Sequence, residues 1–226
     1  MSEIAQRSGL DADGRAPDPA DAVVSDQRLL RGARARRMIT RHAVDVASLE
    51  GLNGLSFGRL AADLGLSKSG VQTLFGTKEN LQVAAVECAR EAFTDAVIRP
   101  ALAVSRGAAR LRALIERWTA YAETPLFSGG CFWAANQADF DSRPGRVHDA
   151  LFRHRRDWLD LVAGELRHAA DAGEIADLDA GLAAFQIDAV LCAANTAFRL
   201  GDKDAGDRVR RVVETFLIGR ADLSDR

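Results

Sequence analysis

The chain has 226 residues, of which 47% are hydrophobic and 6% aromatic, and its formal net charge is −2. This length and apolar content allow two helical domains with substantial cores. The three cysteines are too few for a disulfide framework, and the polar, acidic N-terminus lacks the pattern of a secretory signal, so we expect a cytoplasmic protein.

Residues 1–26 are rich in Gly, Pro, Asp and Ala and show no apolar period. Pro17 and Pro19 oppose a regular helix, so we predict a disordered arm, with a regulatory role and no role equally open. From about Ser25 we predict a helix with six arginines between positions 28 and 41. These arginines either face solvent or contact phosphates.

A pair of short helices is predicted around a tight turn at residues 55–75. Ser56 is a suitable N-cap for a first helix, and Gly65 supplies the positive φ with which a sharp helix end is made. Ser67 caps a second helix, Lys68 to Phe75, whose apolar residues recur at helical spacing. This pattern indicates a helix-turn-helix with 68–75 as the recognition helix, although helical bundles that do not bind DNA contain similar turns.

The distribution of charge favours the DNA-binding interpretation. Residues 27–81 contain nine Lys or Arg and four Asp or Glu, so this segment is basic although the whole chain is slightly acidic. Thr77 and Lys78 begin the next helix, where free backbone amides and a lysine can hold a phosphate. A basic segment on an acidic body is typical of a phosphate-binding module.

At these residues the chain resembles the tetracycline-repressor (TetR/AcrR) family of bacterial transcriptional regulators. The matching positions are Ile39, Ala43, Val46, Ala47 and Gly51 in the first helix, Ser56 and Leu60-Ala61 in the second, Gly65-Leu66-Ser67 in the turn, Phe75, and Thr77-Lys78-Glu79-Asn80-Leu81. Gln72 departs from the family pattern, which usually has a backbone-contacting Tyr at this position. A phosphate contact is therefore lost, or an amide that can read adenine is gained.

We assign roles to seven residues in DNA binding. Four are expected to face bases or nearby phosphates: Lys68, Ser69, Gln72 and Thr73. Three are expected to anchor the DNA backbone: Ser56, Thr77 and Lys78. The expected partner is a double-stranded operator.

Helical patterns continue through the rest of the chain. We predict helices over 78–99, 107–123, 131–140, 146–172, 179–200 and 205–218, with a loop at 124–130. Pro100, Pro125 and Gly173 mark three of the ends. The apolar stretch 182–200 is interrupted by Gln186, Asp188, Asn195 and Arg199, which disfavours a membrane span.

Large apolar side chains with a few polar groups cluster in the middle helices, as in a small-molecule site. The candidate ligand-binding residues are Trp118, Tyr121, Phe127, Phe132, Trp133, Asn136 and Gln137. An aromatic core with two amides at its edge is the alternative. The family resemblance implies an effector pocket in this domain without naming the ligand.

The last two helices carry many small and apolar residues, which suit close helix packing. They form either an intramolecular core or a four-helix bundle between two subunits. The resemblance implies a homodimer through these helices. Two-fold pairing also places two recognition helices about one DNA turn apart, which raises affinity.

The sequence shows no convincing catalytic or metal site. Cys131, His148 and Asp149 form a conceivable nucleophile and base, but a Cys beside Phe132 and Trp133 is more often a core residue. No two histidines are spaced for a metal, and no Gly-rich phosphate loop occurs, so we expect no cofactor. A thiol sensor at Cys131 is a minor alternative.

We therefore predict an all-α protein with an N-terminal three-helix helix-turn-helix head joined to a larger helical ligand-binding and dimerisation domain. The predicted divisions are an arm at 1–26, a DNA-binding domain at 27–77 and an effector-binding and dimerisation domain at 78–220. The predicted function is a transcriptional regulator, a repressor released by a small apolar ligand, and not an enzyme. The alternative is a small-molecule-binding or catalytic helical protein with a vestigial helix-turn-helix.

Overall fold

The computed structural model describes the backbone of residues 19–218, and the side chains of residue 27 and residues 29–218. Within this range the secondary structure is helical and contains no strand, which confirms the all-α fold. The helices are α1 (Pro19–Glu50), α2 (Phe57–Leu64), α3 (Lys68–Phe75), α4 (Lys78–Phe93), α5 (Arg99–Ala101), α6 (Ala108–Glu123), α7 (Phe132–Phe140), α8 (Arg146–Asp171), α9 (Ala180–Arg199) and α10 (Ala205–Phe216).

Helix α1 begins at Pro19 instead of near Ser25, so the last residues of the predicted arm are helical. Proline is well suited to a first helical turn, because its fixed φ is helical and its missing N–H has no partner there in any case. Residues 1–18 of the predicted arm lie outside the described range. The chain divides into two compact units between Ile39 and Thr40, within this helix.

The end of α1 is followed by a short 3₁₀ turn at Leu52–Gly54 that leads into α2. Gly51 has a φ of 75°, which a glycine adopts without strain, and its amide bonds to the Ala47 carbonyl at 3.1 Å. Leu52 and Leu55 are buried on either side of this turn. The turn is thus fixed by apolar burial and by a residue that permits the reversal.

Ion pairs join the outer surfaces of α1 and α2. Asp63 accepts hydrogen bonds from His42 Nε2 (2.9 Å) and Arg59 Nε (2.8 Å), and Arg59 also lies 3.3 Å from Glu50. The bonds from His42 and Arg59 hold the pKa of the Asp63 carboxyl below its usual value. These groups are exposed to solvent, so the network orients α2 but contributes little stability.

Helix α4 does not end before Pro100 as predicted. It continues through a wide π-helical turn at Thr94–Ile98 into α5, and the Arg99 amide bonds to the Thr94 carbonyl five residues back. A proline inside a regular α-helix lacks one N–H and collides with the carbonyl four residues earlier. A π turn immediately before Pro100 moves that carbonyl away, so the helix passes through the proline.

Two glutamates that are distant in the sequence cap the N-terminus of α6. The Gly107 amide donates to Glu165 Oε2 (2.8 Å) and the Ala108 amide donates to Glu174 Oε2 (2.9 Å). The Glu165 side chain is only 3% exposed and also accepts from Arg110 at 3.4 Å. Carboxylates are favourable at a helix N-terminus, where free amides carry partial positive charge.

Helix α9 packs against both α8 and α10, and α10 also contacts α6. Arg112 of α6 makes two hydrogen bonds of 2.8 Å to the Glu214 carboxylate of α10. Helix α9 is long and apolar enough to cross a membrane by length and composition alone. That test is weak for a helix such as this one, which buries Ile187, Asp188 and Leu191 within the protein.

Candidate DNA-binding and ligand-binding sites

The helix-turn-helix has the predicted local geometry. The Ser56 hydroxyl accepts from the Arg59 amide (3.1 Å), and the Ser67 hydroxyl accepts from the Gly70 amide (3.1 Å). Gly65 adopts the left-handed conformation with φ 66°, and the next amide, that of Leu66, returns to the Ala61 carbonyl at 2.8 Å. Both caps and the turn residue were predicted correctly, because each acts within a few residues of its own position.

Helix α3 has one buried and one exposed face. Val71 and Phe75 are buried, and α3 packs against α2. The four predicted base-facing residues, Lys68, Ser69, Gln72 and Thr73, are all exposed. Thr73 Oγ1 donates to the Ser69 carbonyl at 2.8 Å, which restricts its rotamer.

The three predicted anchors of the DNA backbone are exposed and each has a local partner. Ser56 and Thr77 act as N-caps through their oxygens, so each hydroxyl retains a hydrogen to donate. Lys78 Nζ donates to the Asn53 carbonyl at 2.6 Å, which uses one of its three N–H groups. The roles in DNA binding stay predictions, and the geometry is compatible with them.

The 3₁₀ turn at Leu52–Gly54 is held by side chains of α4 and α7, which we call the turn clamp: Gln82 and Asn136. Gln82 Nε2 donates to the Leu52 carbonyl (2.9 Å), and Asn136 Oδ1 accepts from the Leu52 amide (2.6 Å). Asn136 Nδ2 also donates to the carbonyls of Ala47 (3.2 Å) and Phe132 (2.8 Å). Both amides are buried, so their loss leaves polar groups without partners.

The loop before α7 contacts the end of α1 directly. Asp45 Oδ1 accepts from both the amide and the hydroxyl of Ser128 at 2.8 Å, and Ser48 Oγ accepts from the Gly129 amide at 2.9 Å. A Cβ on Gly129 would overlap the backbone of Ser48 and Leu49. Only glycine allows this close approach between two main chains.

An aromatic cavity lies between five helices of the second unit. The space inside it, counted out to its open side, is about 450 Å³. Its walls are Phe93, Trp118, Cys131, Trp133, Ala134, Gln137, His154, Arg155, Trp158, Asp188, Leu191, Cys192 and Asn195. All three tryptophans of the chain belong to it.

Three of the seven predicted ligand-binding residues line this cavity, namely Trp118, Trp133 and Gln137. The other four are buried outside its walls. Tyr121 packs edge-on against Phe93 with ring centroids 5.4 Å apart, and Phe132 packs edge-on against Trp133 at the same distance. Phe127 is buried in the loop before α7, and Asn136 belongs to the turn clamp.

His154 is a buried residue in the wall of this cavity. Its ring stacks on Trp133 with centroids 3.5 Å apart and an interplanar angle of 11°. Burial, reinforced by the positive charge of Arg90, lowers the pKa of His154 to about 3, so the ring is neutral at pH 7. Its position was readable from the sequence, because His154 continues the inward spacing of Val147, Leu151 and Trp158 along α8.

The remaining polar groups of the cavity leave it without net charge. Arg155 donates to Asp188 Oδ2 through two nitrogens at 3.1 and 2.9 Å. Burial raises the pKa of the Cys131 thiol, and it raises the pKa of Cys192 to about 11. Both thiols are therefore protonated at pH 7, which is unfavourable for a thiol sensor.

The conceivable catalytic group does not assemble. Cys131 is buried at the start of α7, whereas His148 Nδ1 pairs with the neighbouring Asp149 at 2.9 Å on a partly exposed surface. A nucleophile needs a base within hydrogen-bonding reach, and the buried thiol has a raised pKa. In residues 19–218 no three His, Cys, Asp or Glu side chains converge as metal ligands.

Comparisons with known proteins agree with this architecture. Residues 107–213 match the family described as "Tetracyclin repressor-like, C-terminal domain". A TetR transcriptional regulator from Chloroflexus aurantiacus J-10-FL superposes with a TM-score of 0.73 at 21% identity, covering 83% of this chain and 94% of that one. No curated protein matches the chain in sequence.

Two further similar structures contain bound molecules. AibR, in complex with isovaleryl coenzyme A and operator DNA, has a TM-score of 0.67 and 17% identity, with 81% of this chain and 98% of that chain covered. A transcriptional regulator from Saccharomonospora viridis, in complex with choline, has a TM-score of 0.70 and 19% identity, with 81% and 95% covered.

The exposed polar face of α3 and the matched C-terminal region define a DNA-binding transcriptional regulator, which is a non-enzymatic class of protein. Residues 107–213 belong to the TetR family by its C-terminal domain, the family that the N-terminal motifs predicted, and the fold is that of TetR regulators. The vestigial or catalytic alternative has no support in the described residues.

Proposed function

We propose that this TetR-family protein is a cytoplasmic homodimeric repressor that leaves its operator when a small molecule occupies the aromatic cavity. One observation carries the proposal: the two helices that hold the 3₁₀ turn of the head also form walls of the cavity. Helix α4 supplies Gln82 to the turn and Phe93 to the cavity, and α7 supplies Asn136 and Trp133. A conformational change at the cavity walls can therefore reach the head through α4 and α7.

The DNA contacts follow from the exposed face of α3. Lys68, Ser69, Gln72 and Thr73 would face base edges or nearby phosphates in the major groove. The caps Ser56 and Thr77 together with Lys78 would fix the register on the DNA backbone. AibR was solved with operator DNA, and its similar fold supports this arrangement.

The ligand contacts centre on Trp118, Trp133 and Gln137, which we predicted and which line the cavity. Phe93, His154 and Asn195 would join them from three other helices. The similar structures that hold isovaleryl coenzyme A and choline support a small-molecule effector.

The proposed release is a shift between two conformations. A ligand that binds better when Trp133 and Phe93 are displaced stabilises the displaced state by its difference in affinity for the two states. Trp133 and Asn136 are one turn apart on α7, while Gln82 and Phe93 are about 16 Å apart along α4. We expect movement of α7 to reach Leu52 first, because its two contacts are closest together.

The proposed dimer forms through α9 and α10. Leu182, Phe185 and Leu200 are exposed along α9, and an apolar groove between the two helices is lined by small residues such as Ala193 and Ala197. A second copy would cover this surface and place the two α3 helices on one duplex. Phe185→Glu should yield monomers in analytical ultracentrifugation. Leu102→Glu changes another exposed apolar residue, outside α9 and α10, and should leave the mass unchanged.

The decisive experiment is binding of the purified protein to its own upstream DNA over a series of salt concentrations. Lys78→Ala should weaken binding to all sequences alike and reduce the salt slope by about 1. Lys203→Ala removes the same charge from the turn between α9 and α10, so it is the matched control and should change neither quantity.

Gln72→Ala should instead change the preferred sequence more than the overall affinity. The reverse pattern, with sequence preference moved by Lys78 and general affinity by Gln72, would contradict the proposed roles. No salt-sensitive binding to upstream DNA would contradict the repressor proposal as a whole.

A further inference from the structure

Two buried polar atoms on residues that line the aromatic cavity have no hydrogen-bond partner. They are Nε1 of Trp133 and Oδ1 of Asn195, and both residues are less than a tenth exposed. Of the four such side-chain atoms in the described residues, these two share one cavity. Buried polar groups are normally hydrogen-bonded. A ligand with one acceptor for the Trp133 N–H and one donor for Asn195 Oδ1 would satisfy both atoms.

The aromatic walls define the shape that fits beside these atoms. His154 and Trp133 are nearly parallel with ring centroids 3.5 Å apart, and Phe93 meets His154 edge-on at 5.1 Å and Trp158 edge-on at 5.6 Å. Flat rings already pack here both by stacking and edge-to-face. A planar ligand meets the same surfaces.

The charges of the cavity select against an ion. The His154 ring is neutral, and Arg155 and Asp188 neutralise each other through two hydrogen bonds. An anion entering the cavity would have to compete with Asp188 for Arg155, and a cation would have to compete with Arg155 for Asp188. In either case one member of this pair loses its partner within the cavity wall, where the Asp188 side chain is only 10% exposed.

We propose that the cavity binds a small, neutral, planar aromatic molecule that offers a hydrogen-bond acceptor to Trp133 and a donor to Asn195. Aromatic carboxamides have this chemistry, since the carbonyl accepts and the NH₂ donates. This inference rests on the proposed effector site and specifies its ligand class. It concerns binding alone and is independent of whether binding releases DNA.

The test uses the purified protein without DNA and a panel of probes, four of which lack part of the proposed chemistry. Benzamide and 4-hydroxybenzamide have the full chemistry, toluene lacks the polar group, and cyclohexanecarboxamide lacks the flat ring. Benzoate and choline carry charge. Because all three tryptophans line the cavity, quenching of their fluorescence reports occupancy directly.

We expect saturable quenching and a raised melting temperature with the aromatic amides, and at least tenfold weaker binding of the other four probes. Tighter binding of benzoate or choline would overturn the inference, as would equal binding of toluene. Absence of binding by both aromatic amides would also overturn it.

Two variants test the assigned atoms. Asn195→Leu removes the acceptor at similar volume, and Trp133→Phe removes the N–H while keeping a ring. Each should weaken benzamide about tenfold in calorimetry and leave toluene unchanged, whereas Cys88→Ala, outside the walls of the cavity, should leave benzamide unchanged. Unaltered benzamide affinity in both folded variants would overturn the assignment.

Different results would refute the proposed release from DNA and the proposed ligand class. If benzamide binds as expected but leaves the operator complex intact, the ligand class stands and release from DNA is refuted. If choline or benzoate releases the operator while the aromatic amides do not bind, release stands and the ligand class is refuted.

Discussion

Alanine at position 129 should separate the loop before α7 from the end of α1. The backbone of Gly129 has an ordinary negative φ, so alanine is allowed conformationally and the conflict is purely steric. The new Cβ would overlap main-chain atoms of Ser48 and Leu49, which cannot rotate away as a side chain can. The loop before α7 must therefore move away from the end of α1.

The cost of this movement can be estimated from the contacts that it breaks. Overpacking alone costs about 1–3 kcal/mol. The bonds from Gly129 to Ser48 and from Ser128 to Asp45 are partly exposed and would add about 1–2 kcal/mol. The total is about 2–5 kcal/mol, which lowers the melting temperature of a domain of this size by roughly 4–20 °C.

Gly164→Ala is the matched control. Gly164 lies within α8, and a Cβ there would meet nothing within 4 Å. The same substitution should raise stability by about 0.5–1 kcal/mol, because alanine loses less backbone entropy in a helix. Urea denaturation followed by circular dichroism would measure both variants, at one protein concentration because a dimer is stabilised by mass action. Wild-type stability in Gly129→Ala would refute the close approach.

Three further substitutions test other parts of the fold. His154 has a pKa of about 3 when folded and about 6.5 when unfolded, so the unfolded state binds an extra proton below pH 6.5 and stability falls as the pH is lowered towards 3. In His154→Phe, melting curves recorded between pH 7 and pH 4 should show a smaller loss of stability than in the wild type, and an identical pH dependence would contradict the buried neutral ring. Asn136→Leu should reduce the free energy of unfolding by about 2–4 kcal/mol in urea, since it leaves the Leu52 amide unpaired and removes one of the two bonds to the Ala47 carbonyl. Asn53→Leu, at an exposed amide, should cost less than 1 kcal/mol. Glu165→Gln should cost about 2 kcal/mol by weakening the cap of α6 and its pairing with Arg110, with the exposed Glu116→Gln as a neutral control in the same assay.

Local signals allowed most of the helices to be predicted. The caps Ser56, Ser67 and Thr77 and the glycine at 65 act over three or four residues, and the structure has them where the sequence placed them. The predicted start of α1 was wrong because proline opposes a helix only in its interior. Pro19 lies in the first turn, where proline is compatible with a helix.

Contacts between distant segments could not be predicted in the same way. Asn136 and Leu52 are 84 residues apart, and nothing near either position indicates that they meet. Gln137 and Asn136 looked equivalent in the sequence, yet one lines the cavity and the other holds the head. The cavity draws walls from five helices, so a pattern within one helix identified only part of it.

The π turn at Thr94–Ile98 has a mechanical consequence for helix α4. A wide turn holds one more residue than a regular one, so it can absorb a shift in register that an unbroken helix would transmit along its whole length. Phe93 is next to this turn on its N-terminal side, and the stiff regular segment runs from there back to Lys78. A ligand that displaces Phe93 would therefore shift the regular part of α4 towards the DNA-binding head. The segment beyond Pro100 would keep its position.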